Sequence, residues 1–306
     1  MVSPYDGIIL IDKNEDETSF DIVKKLRGVL KVKKVGHAGT LDPFATGLLV
    51  VLVGQGTKLA PYLMSEWKKY RATIQLGVET DTQDPTGRIV RTMDVPEFES
   101  DYIHKKTLEF IGEIEQVPPI FSAVNYKGKR AYDLARRGIK VELKKRKVKI
   151  LNLKIISIDI PNVTMEVSCS SGTYIRSLAS DIGKQLGTVA HLKALRRLSS
   201  GPFKVEDALN SRHIGLAFAD SLGKSIISLR GALPDMKEMQ VDDRMAKKTR
   251  NGGQTEWSRI GLGSDVSAPF EGFLKLVNDM ELVAILEVHH LGSNDKGWLK
   301  TRRIFH

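Results

Sequence analysis

The sequence predicts an α+β protein in two parts. A large mixed domain spans residues 1–235 and carries a basic insertion at about 118–149, and a smaller β-rich module spans 236–306. Three observations predict this. Short β-branched stretches are interleaved with apolar stripes of helical period. One segment, 124–149, holds eleven Lys or Arg against two acids, nearly the whole excess of a chain whose net charge is +10. Past SLRGALPDM (228–236) the texture changes to short strands with Gly turns, over about seventy residues, an ordinary domain size.

The elements follow in order. GIILIDK (7–13) is an apolar run of strand length. Thr18 and Ser19 supply an N-cap, and FDIVKKLRGVL (20–30) places apolar residues at 20, 22, 23, 26 and 30 on one helical face. The Gly- and Pro-rich loop GHAGTLDPFATG (36–47) leads into the apolar run 48–53. LAPYLMSEWKK (59–69) reads as a short helix or connection. In YRATIQL (70–76) Ala72, Ile74 and Leu76 alternate onto one face of a strand. ETDTQDPTG (79–87) is a turn, and RIVRT returns from it. Residues 102–111 read as a helix, and AYDLARRG (131–138) as a short one stopped by Gly138. The segments 148–160 and 162–172 are strands by their β-branched content. TYIRSLASDIGKQLG (173–187) carries Leu178, Ile182 and Leu186 on one stripe and ends at Gly187. VAHLKALRRLSSGPF (189–203) is expected to be a further helical piece. Residues 239–254 divide into strand, short helix and loop, and 273–288 form a hairpin.

Composition narrows the function. The run 48–53 is too short to span a bilayer, and MVSPYDGIIL lacks the pattern of a secretory signal. A single cysteine, Cys169, excludes an internal disulfide and a Cys-rich zinc site, and fits a reducing cytoplasm. In a strand it reads as a small buried hydrophobe. The concentrated positive charge points to a polyanionic partner.

Asp42 stands alone in the rigid 36–47 loop, five residues after His37. A loop Asp serves as a turn residue or N-cap, or as a nucleophile or base held at a cleft. Asp81 and Asp84 are read as solvent-facing turn residues, and with Glu79 they match no calcium-loop spacing. GQGTK (54–58) lacks phosphate-loop spacing, so a plain Gly turn is expected, with Lys58 available to a phosphate. Arg176 opens a helix, where the dipole disfavours a cation, so a carboxylate partner such as Asp42 is its functional reading. Tyr174 is as much a packing residue as a functional one. KKRKVK (144–149) is either a solvated strand edge or, with Tyr126, Arg130 and Tyr132, an arm for nucleic acid.

These stretches together resemble the bacterial TruB-type tRNA pseudouridine synthases. GHAGTLDPFATGLL is similar to the family's catalytic loop, YRATIQLGVETDTQDPTG to its second motif, VPPIFSAVNYKGKRAYDLARRG to its RNA-gripping thumb, and CSSGTYIRSLASDIG and AHLKALRRLSSGPF to its later motifs. The likeness covers residues 7 to about 235, and the remainder resembles a PUA domain, a small RNA-binding β-barrel, through NGGQ and its strand pattern. It implies a mixed, largely antiparallel sheet with flanking helices. It also implies isomerisation of uridine-55 in the T-loop of tRNA to pseudouridine, in the cytoplasm, with no metal, no organic cofactor, no guide RNA and no obligate protein partner, by a monomer. By matched position Asp42 is the essential carboxylate, Tyr70 stacks on the flipped base and helps move its proton, and Arg176 pairs with Asp42. His37 sits where the base leaves its stack, and Leu195 lines the pocket. Tyr174, Lys58, Lys127, Lys129, Arg130, Arg136, Lys144, Lys145 and Arg146 are expected to contact RNA.

The bottom-up chemistry agrees, since moving a base from N1 to C5 needs one carboxylate and a flipped base held on an aromatic ring. The chain departs from the family at Asn14 and Asp16, where Pro and Gly are usual, and at Asn125, where Lys is common. Asn and Asp tolerate turn conformations, so a similar loop is expected. The alternatives are a non-catalytic RNA-binding or RNA-folding protein, a guide-dependent synthase, and a base-excising glycosidase.

Overall fold

The computed structural model describes residues 5–122, 124–126, 128–139, 141–215, 223–252, 271–289 and 298–306. The chain begins with strand β1 (Gly7–Lys13), then helix α1 (Ser19–Leu30), strands β2 (Val35–His37) and β3 (Thr46–Val53), helix α2 (Ala60–Met64) and strand β4 (Lys68–Leu76). Thr18 caps α1 through a complete capping box with Asp21. The hairpin β5 (Val78–Thr80)–β6 (Ile89–Thr92) precedes α3 (Ser100–Leu108) and β7 (Gly112–Gln116). The basic insertion forms a two-stranded ribbon, β8 (Asn125–Tyr126) and β9 (Lys129–Arg130), and helix α4 (Ala131–Arg136). It returns into the long β10 (Arg146–Asp159), which turns back as β11 (Asn162–Cys169). Helix α5 (Ile175–Gln185) and strand β12 (Ala190–Ser200) follow, with short strands β13 (Phe203–Lys204), β14 (Leu209–Asn210) and β15 (Ile227–Ser228).

The central sheet runs β14-β1-β3-β12-β4-β11-β10-β7. It is mixed but mostly antiparallel, with β12 parallel to β3 and β14 parallel to β1. One face buries Ile9, Ile11, Leu49, Val51, Ala72 and Ile74 against Ile22 and Leu26 of α1 and Leu178 and Ile182 of α5.

The opposite face of β1 and β3 (Ile8, Leu10, Leu48, Val50, Leu52) packs against the C-terminal module through Val277, Leu282, Ile285 and Phe305. That module is a second sheet, β16 (Glu238–Gln240), β17 (Gly272–Asn278), β18 (Glu281–His289) and β19 (Trp298–Ile304), with helix α6 (Asp243–Arg250) on it. Its β17–β18 hairpin is the one expected, whereas Gly253 and Gln254 of the NGGQ motif lie outside the described residues. Among the described residues no helix is long and apolar enough to cross a membrane.

One expectation is corrected. Residues 189–203 are not helical: 190–200 form β12, hydrogen-bonded between β3 and β4 at the centre of the sheet. Register shifts between Leu192 and Ala194 and between Arg197 and Ser199 break the strict alternation. Buried positions fall at 190, 191, 192, 195, 197 and 200, so the alternation that marks a strand is not legible in the sequence. Cys169 is buried on β11, as expected of a small hydrophobe.

Candidate active site

The site is built around the β2–β3 loop, and nearly every residue of that loop is held. Ala38 N–H donates to Val50 O at 2.9 Å. The hydroxyl of Ser19 accepts from Leu41 N–H at 2.9 Å and donates to its carbonyl at 3.2 Å. Arg197, 1% exposed, donates from Nε to Leu48 O at 2.6 Å, from Nη2 to Gly39 O at 3.2 Å and from Nη1 to Thr40 O at 3.4 Å. On the other side the buried ammonium of Lys13 donates to the carbonyls of Pro43, Asn14 and Glu17 at 3.1, 2.8 and 2.7 Å. Burial lowers the pKa of Lys13 to about 8, with Glu17 opposing the shift. Gly47 has φ +99 and packs on Arg197: a Cβ there would lie 2.3 Å from the Arg197 carbonyl oxygen.

Asp42 heads a tight turn, Ala45 N–H donating to its carbonyl at 3.1 Å, but its side chain is not spent on that turn. Its carboxylate meets Arg176 side-on, Oδ2 at 3.0 Å from Nε and Oδ1 at 3.3 Å from Nη2. Its side chain keeps 33% exposure, open to the cavity it lines. Arg176, in the first turn of α5, is 5% exposed. Nη1 donates to Thr82 O and Asp84 Oδ2, both at 3.1 Å, and Nη2 donates to Phe121 O at 3.0 Å. All five guanidinium N–H groups therefore have acceptors, which is how a buried arginine is made tolerable at a helix start.

Asp84 corrects the sequence reading. It is 4% exposed, not solvent-facing. It does form a tight turn, accepting from the hydroxyls of Thr82 and Thr86 at 2.7 and 2.6 Å and from Thr86 N–H at 3.0 Å. The turn is folded inward, pinned by Leu192 N–H donating to Gln83 O at 3.1 Å, so the carboxylate reaches Arg176. Three threonines crowded about one Asp in TDTQDPT were the available signal. Asp81 behaves as expected, accepting from Arg88 N–H at the exposed surface.

Two carboxylates on one guanidinium also alter the electrostatics. A guanidinium beside a carboxylate by itself favours the ionised form. Here burial raises the Asp42 carboxyl above its ordinary range, Arg176 opposes this, and Asp84 adds to the rise.

The cavity, about 290 Å³, is lined by Asp42, Tyr70, Tyr174, Arg176, Leu195 and Arg197 among others. The size sits at the low end of small-molecule clefts, roughly 300–1,000 Å³. Tyr70 projects from β4 with Arg197 near its hydroxyl, and burial pushes that hydroxyl above its ordinary pKa. Tyr174 stands beneath the Arg146 guanidinium, 5.3 Å from its ring centroid. Its backbone is cradled by the Gln116 side chain at 3.1 and 3.3 Å.

Other expected residues lie elsewhere. His37 ends β2 at the foot of the loop and is partly buried. Its Nδ1 has no partner among the described residues, and burial lowers its pKa. Lys58 is a structural tie: its ammonium donates to Gln55 Oε1 at 2.9 Å and to Ile304 O of β19 at 2.6 Å, leaving one N–H for a phosphate. Lys129 and Lys144 are exposed on the insertion. Lys145 and Lys147 face Glu115 and Glu113 of β7 at 3.4 and 2.8 Å, so that part of the basic run is a charged strand edge. Lys127 lies outside the described residues, as do the side chains of Arg130 and Arg136. Arg197 and Asp84 are what sequence reasoning missed.

Residues 27–175 match the family model for the TruB family pseudouridylate synthase N-terminal domain, and 176–233 that for the tRNA pseudouridylate synthase B C-terminal domain. The tRNA pseudouridine synthase B of Geobacter sulfurreducens is 41% identical over 302 residues, 98% of this chain and 99% of that one. That of Clostridium kluyveri is 44% identical over 247 residues, 81% of this chain and 84% of that one. Among solved structures, a chain of a Cbf5-Nop10-Gar1 complex is 23% identical at a TM-score of 0.74, over 99% of this chain and 86% of that one. A chain of an H/ACA RNP bound to a substrate RNA is 22% identical at 0.71, over the same shares of the two chains. These two likenesses speak for the fold, and the sequence matches for descent: the chain belongs to the TruB family of pseudouridylate synthases.

Proposed function

We propose that the protein isomerises a uridine of tRNA to pseudouridine, at position 55 of the T-loop, acting alone in the cytoplasm as a monomer. The observation that carries this reading is the single open carboxylate. Asp42 is the acid lining the cavity, and Asp84 behind it is closed off by threonines and Arg176. A glycosidase needs a second carboxyl group flanking the substrate. An isomerisation that breaks the N1–C1′ bond, turns the base and joins C5 to C1′ needs only one.

The residues divide the work. The flipped base rests on Tyr70 beside Leu195. Tyr70, its pKa raised by burial, is a neutral phenol at working pH and serves as a platform. Asp42 acts as carboxylate, either as nucleophile or as base. The C5 proton leaves and N1 gains one, so the net change is an isomerisation. The insertion 118–149 and the exposed Arg244, Lys247 and Lys248 of α6 supply cations for the RNA backbone. The last of these supports reading the C-terminal module as a PUA-like RNA-binding unit. Relatives named tRNA pseudouridine synthase B run the length of this chain, thumb included, which favours a stand-alone enzyme over a guide-dependent one.

The test uses a T-arm stem-loop tritiated at uracil C5, with EDTA present, beside Asp42→Asn. Tritium release by the wild type, lost in the variant while RNA binding persists, is the expected result. Tight binding without release from either protein would leave the RNA-binding reading in its place.

A further inference from the structure

Ser122 stands at the base of the thumb and lines the catalytic cavity. It is 5% exposed, and its hydroxyl has no hydrogen-bond partner among the described residues. Its backbone is fully committed: its N–H donates to Ile120 O at 2.9 Å and its carbonyl accepts from Tyr132 N–H at 3.2 Å. The carbonyl just before it, on Phe121, receives Arg176 Nη2 at 3.0 Å. The side chain is thus held in place beside the guanidinium that carries Asp42.

Two neighbouring hydroxyls on the cavity wall already have partners: Thr173 donates to Ser170 O at 2.9 Å, and the Ser170 hydroxyl accepts from Lys149 N–H at 2.9 Å. A buried hydroxyl left without a partner costs free energy, and the cost rises when a ligand shuts out water. This fold carries that cost at the wall of its substrate cavity.

We propose that Ser122 is a base-contacting residue, its hydroxyl donating to a carbonyl oxygen of the flipped uracil. The proposal rests on the synthase reading above. Uracil presents two carbonyl oxygens, O2 and O4, placed symmetrically about the C6···N3 axis. A half-turn about that axis puts C5 where N1 had been, and it exchanges O2 with O4. A donor that meets one carbonyl before the turn therefore meets the other after it. One hydroxyl on the thumb side serves both the bound uridine and the pseudouridine.

The experiment is single-turnover conversion by the full chain of T-arm stem-loops carrying uridine, 2-thiouridine or 4-thiouridine at the target, read by nucleoside chromatography. Wild type, Ser122→Ala and Ser122→Thr are compared, with melting curves and RNA binding measured alongside. Ser122→Ala is expected to slow conversion of uridine on the order of tenfold with RNA affinity unchanged, and Ser122→Thr to recover most of the rate. Sulfur is a poor acceptor, so one of the two thio substitutions should slow the wild type and leave Ser122→Ala unaffected. A rate for Ser122→Ala within about twofold of wild type on uridine, or thio effects of equal size in both proteins, overturns the proposal. A wild type that converts no uridine overturns the synthase reading instead.

Discussion

The catalytic loop and the thumb lie on opposite sides of one cavity and are built by opposite means. Between Ala38 and Ala45 the loop's backbone is bonded by β3, by the Ser19 hydroxyl, and by two buried cations, Arg197 and Lys13. The thumb relies on a small cluster of its own, Ala131, Leu134 and Val141 with Val124, Tyr126 and Leu143 around them. It is tied to the sheet domain at its base, where Val117 O accepts from Ser177 and Phe121 O from Arg176. The difference teaches where precision is needed. The carboxylate proposed to react is over-determined, while the insertion proposed to grip RNA rests on a small cluster of its own and meets the partner of Asp42 at one arginine.

Breaking the loop's clamp should have the largest effect. Arg197→Met leaves the carbonyls of Gly39, Thr40 and Leu48 without their donor in the interior. Urea unfolding should show a loss of about 3–5 kcal/mol, because a buried charged donor is removed from partners that stay buried. Single-turnover rates should fall as well, because Asp42 loses its placement. An unfolding midpoint equal to wild type would refute the clamp. Leu134→Ala, by contrast, should loosen the thumb alone, with amide exchange rising over 124–143 and little change in the sheet.

The next effect is electrostatic. Asp84 raises the pKa of Asp42, so Asp84→Asn should lower it. The proposed reaction needs the carboxylate, so activity in the wild type should be lost as pH falls through the raised value. The acid limb of the rate profile should therefore move to lower pH in Asp84→Asn. The plateau should drop about ten- to a hundredfold, since Arg176 loses one of its anchors. An acid limb that stays in place or moves upward would count against the shared guanidinium. The same raised pKa sets the sign for stability: the contribution of Asp42 is fully present below its unfolded pKa and is lost as pH rises through the folded one.

How much of this was legible in the sequence differs between the two sides of the cavity. Asp42 stood out as a lone carboxylate in a stiff loop and Arg176 as a cation at a helix start, against the dipole, whereas Tyr70 was marked only by the family resemblance. Arg197 and Asp84 did not stand out. Two bulges in β12 hid its strand period, so a buried arginine read as one more cation on a helix. Asp84 does make its local turn, and only the inward fold of that turn onto β12 buries it. Local chemistry is readable residue by residue, but whether a satisfied turn faces water or a guanidinium is decided by tertiary contacts. The thumb was legible as charge, yet its total misled: Lys145 and Lys147 sit against Glu115 and Glu113.

That pairing sharpens the charge experiment. Exposed ion pairs contribute little to stability, but a lysine already facing a glutamate has less to offer a phosphate. Lys144→Ala and Arg146→Ala should each reduce the salt slope of RNA binding by about 0.7–0.9. Lys145→Ala and Lys147→Ala should leave it almost unchanged. Equal slopes for all four would return the thumb to a uniform cationic patch.

The smallest effect is expected at Asp16. It sits at φ 64, and its N–H donates at 3.0 Å to the carbonyl of Pro43, the residue after Asp42. A left-handed residue without Gly is strained, though Asp tolerates it better than most. Asp16→Gly relieves the strain but adds backbone entropy to the unfolded chain, so stability should rise by no more than about 0.5–1 kcal/mol, with the rate unchanged. Asp16→Val is the informative contrast. A β-branched residue resists that conformation, so the N–H must swing away from Pro43 and the loop loses one of its ties. If the rigidity of the loop is what presents Asp42, the valine variant loses rate even where it stays folded. If it keeps full activity, the ties to Pro43 serve the fold and not the chemistry.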